Sequence, residues 1–346
     1  MAFPLNQWYA AGFSWELQGV PLGRTLLDQA VVLFRDGSGR IGALEDRCCH
    51  RDLPLSRGAV ETRGLRCGYH GLLYDTTGHC IEIPGQERIP GKALVRSYTV
   101  KEQDQIVWIW FGASPDAQPT GEPPVYAVHG DDRYEFRGDV YHYKAPWQLI
   151  HDNILDLSHL GYVHVRTIGG NPNLHMTAQT QVQGTGDYVR VVRYMPGSVP
   201  PPTYTSAWPL AARVDRWQEI EFFPNHLRVW SGAIDAGSDS LENPDRGGFH
   251  MRGLHCVTPE TQTTSHYLWT VASNRPPDRP SNLEAVYKQT AATFDEDKLI
   301  IEAQYANMVR FPDRPMLDIH VDTAPLRARR IIARLIRTEQ GATQGV

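Results

Sequence analysis

The 346-residue sequence has few cysteines and no long hydrophobic run. Its most apolar stretch, residues 105–112 (QIVWIWFG), is far shorter than the roughly 20 residues that span a bilayer. The five cysteines are odd in number and too few for a disulfide scaffold. The N-terminal residues lack a basic segment followed by an apolar one, so no signal peptide is predicted. We therefore expect a cytoplasmic protein with no membrane association.

Clusters of basic residues are also missing. The chain carries 34 Lys and Arg against 39 Asp and Glu, a formal net charge of −5, and its basic residues form no block. This balance argues against nucleic acid as the main partner. No G-x-G-x-x-G motif follows a predicted strand, so a flavin or nicotinamide site within the chain is not expected. The remaining composition, 41% hydrophobic and 21% charged, is typical of a globular protein.

Two regions with different patterns flank a proline-rich segment. Residues 1–112 contain short apolar strands broken by Gly and Pro turns. Residues 113–124 hold four prolines without apolar periodicity, which predicts a linker. Residues 125–346 contain several strands and three helical segments, predicted at about 146–164, 282–308 and 325–338. This order predicts an α+β fold, with an all-β N-terminal domain and a second domain of antiparallel sheet and long helices.

Cysteine and histidine alternate in two short segments of the first region. Cys48 and His50 form a C-x-H pattern, and sixteen residues later Cys67 and His70 form a C-x2-H pattern. Two cysteines and two histidines also build structural zinc sites, but zinc fingers usually place both cysteines before both histidines. One cysteine and one histidine from each loop suit a Rieske [2Fe–2S] cluster, in which the cysteine pair holds one iron and the histidine pair the other. The order of the residues therefore favours the cluster.

A second group of metal-binding residue types lies in the predicted helix over 146–164. His159 and His164 are five residues apart, which on a regular α-helix separates them by about 140°, too far for one metal. A widened turn or a break near Gly161 would bring them together. One carboxylate from the acidic segment 295–302 would then complete a 2-His-1-carboxylate iron site.

These motifs, in this order, resemble the oxygenase component of Rieske non-haem iron oxygenases. The sequence is most similar to the vanillate O-demethylase and toluenesulfonate methyl-monooxygenase group. The similar segments span nearly the whole chain and include EDRCCHR, CGYHGLLYD, DNILDLSHLGYVH and FDEDKLIIEA. The resemblance implies a Rieske domain over 1–112 and a helix-grip catalytic domain over 125–346.

The resemblance also implies roles for individual residues. The implied ligands of the [2Fe–2S] cluster are Cys48, His50, Cys67 and His70. The implied ligands of a mononuclear Fe(II) are His159, His164 and Asp297, with Asp295 and Glu296 as alternatives to Asp297. Asp156 matches the aspartate that links the Rieske histidine of one subunit to the iron ligand of the next, within a homotrimer. Its carboxylate is expected to accept N–H bonds from both His70 and His159.

The implied reaction is reductive activation of O2 in a two-component system. Electrons would come from a separate NAD(P)H-dependent reductase with flavin and an iron–sulfur centre, and the substrate would be a small aromatic acid or sulfonate. The expected outcome is mono-oxygenation, either O-demethylation or aryl-methyl hydroxylation. Ring dihydroxylation to a cis-dihydrodiol is the alternative, because the same iron centres serve both reactions. A pure electron carrier would leave residues 113–346 unexplained, and a ligand-binding helix-grip protein would leave the cluster motif unused.

The substrate pocket is expected among the strands of the second domain and the helix that follows them. His255, Trp230 and Phe294 are the candidate pocket residues. Arg213, Arg228 and Arg252 are candidate partners of a substrate anion, because a guanidinium binds carboxylate and sulfonate groups with paired hydrogen bonds.

Overall fold

A computed structural model describes residues 3–114, 117–276 and 280–343, and within them the chain divides into two compact units. The first contains the described residues up to Val125, together with Thr258–Gln262 and those from Glu339 onwards. The second contains Tyr126–Val257 and Thr263–Thr338. Pro115 and Asp116 of the predicted linker lie outside the described residues. The domain limits 1–112, 113–124 and 125–346 stay predictions.

The first unit is built from three small sheets with the strand orders β1-β10-β9, β2-β3-β4 and β5-β6-β7-β8. Its described strands are β1 (Gln7–Phe13), β2 (Leu22–Leu26), β3 (Gln29–Arg35), β4 (Ile41–Glu45), β5 (Ala59–Glu61), β6 (Gly64–Arg66), β7 (Leu73–Tyr74), β8 (Cys80–Glu82), β9 (Val100–Gln103) and β10 (Ile106–Phe111). The run QIVWIWFG forms β10, whose six residues are all buried. A short apolar run therefore became a core strand, as its length and its β-branched and aromatic residues predict.

The second unit is a seven-stranded sheet with helices, in the order β11-β17-β16-β15-β14-β13-β12. Its described strands are β11 (Tyr134–Tyr143), β12 (Gln179–Thr185), β13 (Tyr188–Ser198), β14 (Val214–Phe223), β15 (His226–Asp235), β16 (Phe249–Pro259) and β17 (Ser265–Asn274). Its described helices are α1 (Trp147–Leu155), α2 (Leu160–Val163), α3 (Pro172–Met176), α4 (Pro202–Ala207), α5 (Leu283–Arg310) and α6 (Thr323–Thr343). The pairs from β12 to β16, and β11 with β17, are antiparallel. The predicted α+β class is confirmed.

The long helix α5 presents one narrow buried face. Its buried residues recur at intervals of three and four, which places them on one side of a helix. They are Val286, Thr290, Thr293, Asp297 and Ile301. The helix packs on β11 and β17 and also contacts α1. An acidic side chain on this face, Asp297, therefore lies between the helix and the sheet side of the unit.

The segment predicted as one helix over 146–164 is broken. α1 ends at Leu155, and Asp156 leaves the helical region with φ −117° and ψ 95°. The Asp156 carboxylate accepts a hydrogen bond from the N–H of Ser158 at 2.9 Å, which caps a new 3-10 turn, Leu157–His159. The predicted break near Gly161 is therefore wrong in position, because a side chain that caps the next turn competes with continuation of the helix.

Among the described residues, no helix is both long and apolar enough to cross a membrane. The cytoplasmic location of the protein stays a prediction.

Candidate metal centres

Two loops of the first unit share the same backbone geometry. The N–H of Cys48 and that of Cys67 each donate to the carbonyl oxygen five residues later, at 2.9 and 2.8 Å. Each cysteine carbonyl accepts from the N–H four residues later, at 3.0 and 3.2 Å. Both loops reverse through a residue in the left-handed region, Asp52 at φ 55° and Gly71 at φ 74°. The sequence repeat of one cysteine and one histidine is therefore also a repeat of structure.

The cysteine and histidine side chains of these loops differ in burial. Cys48 and Cys67 are each 2% exposed and belong to an apolar cluster of the first unit, while His50 and His70 are exposed. The two imidazole ring centroids lie 4.5 Å apart. A buried thiol pair with an exposed imidazole pair matches the donors of a Rieske cluster, in which sulfur and nitrogen ligands hold different irons. The residues present fit this group.

Tyr74 lies beside the cysteine loop. Its hydroxyl is 3.2 Å from the Sγ of Cys48 and 3.2 Å from the Sγ of Cys49. It also accepts the backbone N–H of Cys49 at 3.3 Å. With Cys48 as the predicted ligand, a hydroxyl donor to its sulfur would stabilise negative charge on the cluster, so Tyr74 is placed to influence the reduction potential of that cluster.

Replacing Tyr74 with Phe is expected to lower the reduction potential of the cluster by about 40 mV. This shift corresponds to the loss of one hydrogen bond worth about 1 kcal/mol in a one-electron couple. A redox titration followed by visible absorption measures it. Tyr98→Phe is the matched control, because the Tyr98 hydroxyl bonds to Gln29 and not to a cysteine. Equal potentials in Tyr74→Phe and in the unmodified protein would contradict the expectation.

His159, His164 and Asp297 come together in the second unit. Their candidate ligand atoms all lie within 4.8 Å of one another. The Oδ1 of Asp297 is 3.0 Å from the Nε2 of His164 and 3.3 Å from the Nε2 of His159. The 3-10 turn carries His159, and His164 follows the single turn of α2. The break at Asp156 therefore precedes both histidines instead of separating them.

Gly161 lies between the two histidines for a packing reason. A Cβ at this position would lie 2.3 Å from the Cα of Pro172, at the start of α3. Only glycine allows α2 and α3 to approach this closely. The glycine is therefore explained by packing and not by a distorted turn.

The Nδ1 atoms of His159 and His164 each lie within hydrogen-bond distance of an oxygen. The Nδ1 of His159 lies 2.6 Å from the carbonyl oxygen of Asp156, and the Nδ1 of His164 lies 2.7 Å from the Oε2 of Glu296. Both Nε2 atoms are thereby directed towards Asp297. This arrangement is typical of histidines that bind a metal, since an outer hydrogen bond fixes both ring orientation and tautomer.

Asp297 is kept ionised despite its burial. Burial alone raises its pKa, but hydrogen bonds with His159 and His164 lower that pKa to about 2. The Nδ2 of Asn153 donates a further hydrogen bond to Oδ1 at 2.9 Å. Two imidazoles and one carboxylate in this geometry fit a mononuclear Fe(II) with open positions.

The three acidic candidates of α5 occupy different environments. Asp297 lies on the buried face of the helix, whereas Asp295 is exposed. Glu296 is partly exposed and bonds to the outer nitrogen of His164. Of the three, Asp297 groups with both histidines in the structure.

A largely apolar cavity adjoins this group. His255 and Phe294 line it together with His159, His164 and Asp297. Aliphatic and aromatic residues supply most of its wall, including Ile150, Ile154, Leu157, Leu160, Val229, Met251, Tyr267 and Val271. Two of the three candidate pocket residues are therefore beside the metal-ligand group.

Trp230, the third candidate pocket residue, does not line the cavity, so this prediction is wrong. Its neighbours on β15, Val229 and Ser231, line the cavity, so Trp230 faces the opposite side of the strand. There its ring lies 3.6 Å from the guanidinium carbon of Arg252 and 3.9 Å from that of Arg246. Side chains along a strand alternate between the two faces of the sheet, and the sequence does not show which set faces the cavity. This explains the error.

The three candidate arginines do not line the cavity either, and for Arg228 and Arg252 the reason is the same alternation along a strand. Arg213, Arg228 and Arg252 are absent from the cavity wall that the described residues form. Arg252 lies between Met251 and Gly253, both of which line the cavity. Sequence reasoning also missed Gln218, Ser231 and Tyr204, which do line it. If one cavity-facing residue of β14 and one of β15 had been known, taking every second residue along each strand would have found Gln218 and Ser231.

Two family models match the chain. The model of the vanillate O-demethylase oxygenase C-terminal domain matches residues 143–338, and that of the Rieske [2Fe-2S] domain matches residues 7–99. The chain belongs to the Rieske oxygenase family. Each matched region contains a different one of the two candidate metal centres. The family predicted from the sequence is confirmed.

Similar proteins of known activity cover almost the full chain. The toluene-4-sulfonate monooxygenase system iron-sulfur subunit TsaM1 of Comamonas testosteroni is 36% identical over 99% of both chains. The vanillate O-demethylase oxygenase subunit of a Pseudomonas species is 33% identical, covering 98% of this chain and 97% of that protein. A crystal structure of dicamba monooxygenase bound to dicamba is 28% identical, with a TM-score of 0.84 over 99% of this chain and 100% of the other.

This Rieske oxygenase is an oxidoreductase with two kinds of iron centre. Its cofactors are a Rieske [2Fe–2S] cluster and a mononuclear non-haem iron. Both were expected from the interleaved cysteine and histidine residues and from the histidine–carboxylate pattern, and both expectations are confirmed.

Proposed function

We propose that this Rieske oxygenase is the terminal component of a two-component system that mono-oxygenates a small aromatic carboxylate or sulfonate at a methyl or methoxy group. One observation carries the proposal: the histidine–carboxylate group opens onto an apolar cavity in a chain that also has a Rieske domain. The names of the similar proteins refer to toluene-4-sulfonate, vanillate and dicamba, which are all aromatic acids.

We assign the ligands within this proposal from the contacts described above. Cys48, His50, Cys67 and His70 hold the cluster, and His159, His164 and Asp297 hold the mononuclear iron. When bound, the two centres supply the activation of O2 and the electrons that it requires. The chain orients the imidazoles through the Asp156 carbonyl and Glu296.

The cavity wall has two tasks in this reaction. Its aliphatic and aromatic residues bind the ring of the substrate through apolar contact. They also exclude water from the reacting methyl group, which limits unproductive side reactions. Phe294 and His255 are placed for the first task, with ring centroids 5.7 Å apart. Burial lowers the pKa of His255 to about 3, so its imidazole is neutral at physiological pH.

Electron transfer between subunits is the second part of the proposal. Asp156 and His159 line a surface groove with exposed apolar residues, namely Ile300, Met316 and Leu317. In the first unit, His50 and His70 are exposed beside Tyr69, which is 63% exposed. A head-to-tail homotrimer that covers both surfaces would bring the cluster of one subunit to the iron of the next, because such contacts close by rotation.

The role of Asp156 differs from the expectation in one respect. The bridge was expected to use the carboxylate towards His159, but the Nδ1 of His159 bonds to the main-chain carbonyl of Asp156. One carboxylate oxygen accepts from the N–H of Ser158. We propose that the carboxylate accepts a hydrogen bond from the partner subunit's His70, while the carbonyl of the same residue holds His159. A separate reductase with flavin and an iron–sulfur centre supplies the electrons.

Iron content and product analysis test the proposed function together. We expect about three irons per chain, two in the cluster and one in the mononuclear centre. With NADH and a surrogate reductase, aromatic acids with methyl or methoxy groups should stimulate O2 uptake and yield formaldehyde or a hydroxymethyl product. A cis-dihydrodiol would establish the alternative reaction. Full iron loading without substrate-stimulated O2 uptake would overturn the proposal.

A further inference from the structure

A buried cation lies behind one part of the cavity wall. Arg216, on β14, is 1% exposed, and its guanidinium donates to the carbonyl oxygen of Ile168 at 3.1 Å. Its Cζ is 5.2 Å from the ring centroid of Tyr204. Among the described residues, the Nε and Nη1 atoms have no hydrogen-bond partner and no carboxylate pairs with Arg216, although the guanidinium also forms a side-chain hydrogen bond with Tyr204. A buried guanidinium without a counter-ion is unfavourable and attracts an anion.

The surroundings of Arg216 add to the positive charge. Arg193, on β13, is 4% exposed, and its Nη1 also has no hydrogen-bond partner in the part of the chain that the structure describes. Burial lowers the pKa of Arg193 to about 10, so it is still charged at neutral pH. The neighbouring His175 is neutral there, because burial lowers its pKa to about 4. The charge of Asp156 offsets part of the effect of burial on the pKa of Arg193, whereas for Arg216 the partial offset comes from Tyr204.

Three cavity-lining residues adjoin Arg216. Ile168 accepts its hydrogen bond, Tyr204 lies under its guanidinium, and Gln218 follows two residues later on the same face of β14. Gln218 is 2% exposed, and its Oε1 has no hydrogen-bond partner within the described ranges of the chain. It also lies directly across from Arg193 in the β13–β14 pairing. The amide oxygen of a residue on the cavity wall thus lacks a partner among the described residues, although two buried cations lie on the same face of the sheet.

We propose that Gln218 and Arg216 form the subsite that binds the anionic group of the substrate, an inference that rests on the proposed function. The Gln218 amide, rotated so that Nε2 faces the cavity, donates a hydrogen bond to the carboxylate or sulfonate. Arg216 supplies the compensating charge from directly behind the wall. No lysine or arginine is among the described residues that line the cavity, so this buried pair is the source of charge selectivity.

Paired acid and amide probes test the subsite in the iron-loaded protein. The probes are 4-toluenesulfonate with 4-toluenesulfonamide, and 4-methylbenzoate with 4-methylbenzamide. Calorimetry should show that at least one acid binds about 30-fold tighter than its uncharged amide, as expected for a buried charge pair. In Arg216→Met this preference should fall below about 3-fold, and Arg216→Lys should restore part of it. The control is Arg213→Met, which removes an exposed charge outside the cavity.

Gln218→Glu gives a readout that needs no ligand. A carboxylate at this position would pair with Arg216, so the melting temperature should rise while binding of both acids is lost. A lower melting temperature in Gln218→Glu, or an unchanged acid preference in Arg216→Met, would overturn the subsite. Equal binding of acids and amides by the unmodified protein would also overturn it.

The two proposals fail in different ways. Substrate-stimulated O2 uptake with uncharged aromatics, without any preference for acids, would remove the subsite and keep the oxygenase. The opposite outcome is also possible to observe: the protein binds acids in a way that depends on Arg216, but no aromatic compound stimulates its O2 uptake. This result would support the subsite and rule out the oxygenase function.

Discussion

Replacing Asp297 with Ala is expected to lower the iron content from about three to about two per chain and to abolish turnover. The carboxylate lies 3.0 and 3.3 Å from the two imidazole nitrogens, so its loss leaves two neutral ligands for a divalent cation. Metal analysis measures the iron, and visible absorption and low-temperature EPR measure the cluster. The cluster spectrum should be unchanged, because its ligand loops belong to the other unit.

The matched control for Asp297 lies two residues away on α5. Asp295→Asn removes an exposed carboxylate from the same helix and should retain about three irons. Glu296→Gln is expected to give an intermediate result, a fall in iron affinity of about 10-fold, because it weakens the hydrogen bond that orients His164. If Asp297→Ala retained the full iron content while Asp295→Asn lost it, the assignment of the ligand would be wrong.

Replacing Asp156 with Ala or Asn should leave about three irons in place and reduce turnover to about 1% or less. His159 is held by the main-chain carbonyl of residue 156, which both variants retain. Both remove the negative charge proposed to meet the partner subunit's His70. The decisive measurement is a single turnover: O2 and substrate are added to the reduced protein, and reoxidation of the cluster is followed by absorption. In both variants the cluster should stay reduced.

Two comparisons separate this role of Asp156 from a structural one. Asn preserves an acceptor for the N–H of Ser158 and so keeps the cap, whereas Ala loses it at a cost of about 1 kcal/mol of folding stability. If both variants lose turnover equally, the cause is therefore the lost negative charge and not the lost cap. Asp152→Asn is the charge control, because Asp152 lines the same groove and pairs with Arg329. Normal cluster reoxidation in Asp156→Asn would rule out the bridge.

The two metal centres differed in how far the sequence could define them. The cluster motif is local: each pair of candidate ligands lies within four consecutive residues, and hydrogen bonds inside the loop shape it. The candidate mononuclear centre groups His159 and His164 with Asp297, which is more than 130 positions later in the chain. The family resemblance implied Asp297, with Asp295 and Glu296 as alternatives, but no local pattern shows which carboxylate of α5 lies beside the histidines. The buried stripe from Val286 to Ile301 contains Asp297 and neither of its acidic neighbours.

The errors have a common origin in side-chain direction. Trp230 was a reasonable aromatic candidate, but one residue in either direction along β15 faces the cavity instead. Successive side chains of a strand point to opposite faces of the sheet. Which set faces the cavity depends on how the sheet packs, and the sequence of the strand does not show it. The misplaced helix break is similar. Whether Asp156 continues a helix or caps a turn depends on a hydrogen bond to Ser158 that composition does not reveal.

The sequence by itself determined the α+β class, the Rieske motif, the two histidines and the family, because each depends on contiguous residues or on their order. The tertiary structure decided which of the three acidic candidates lies beside the histidines, which strand residues face the cavity, and that Arg216 is buried without a counter-ion among the described residues. These features depend on strand register and helix rotation, which arise from packing over long sequence separations. The few cysteines of the chain were therefore informative through their positions, whereas its many arginines required the fold.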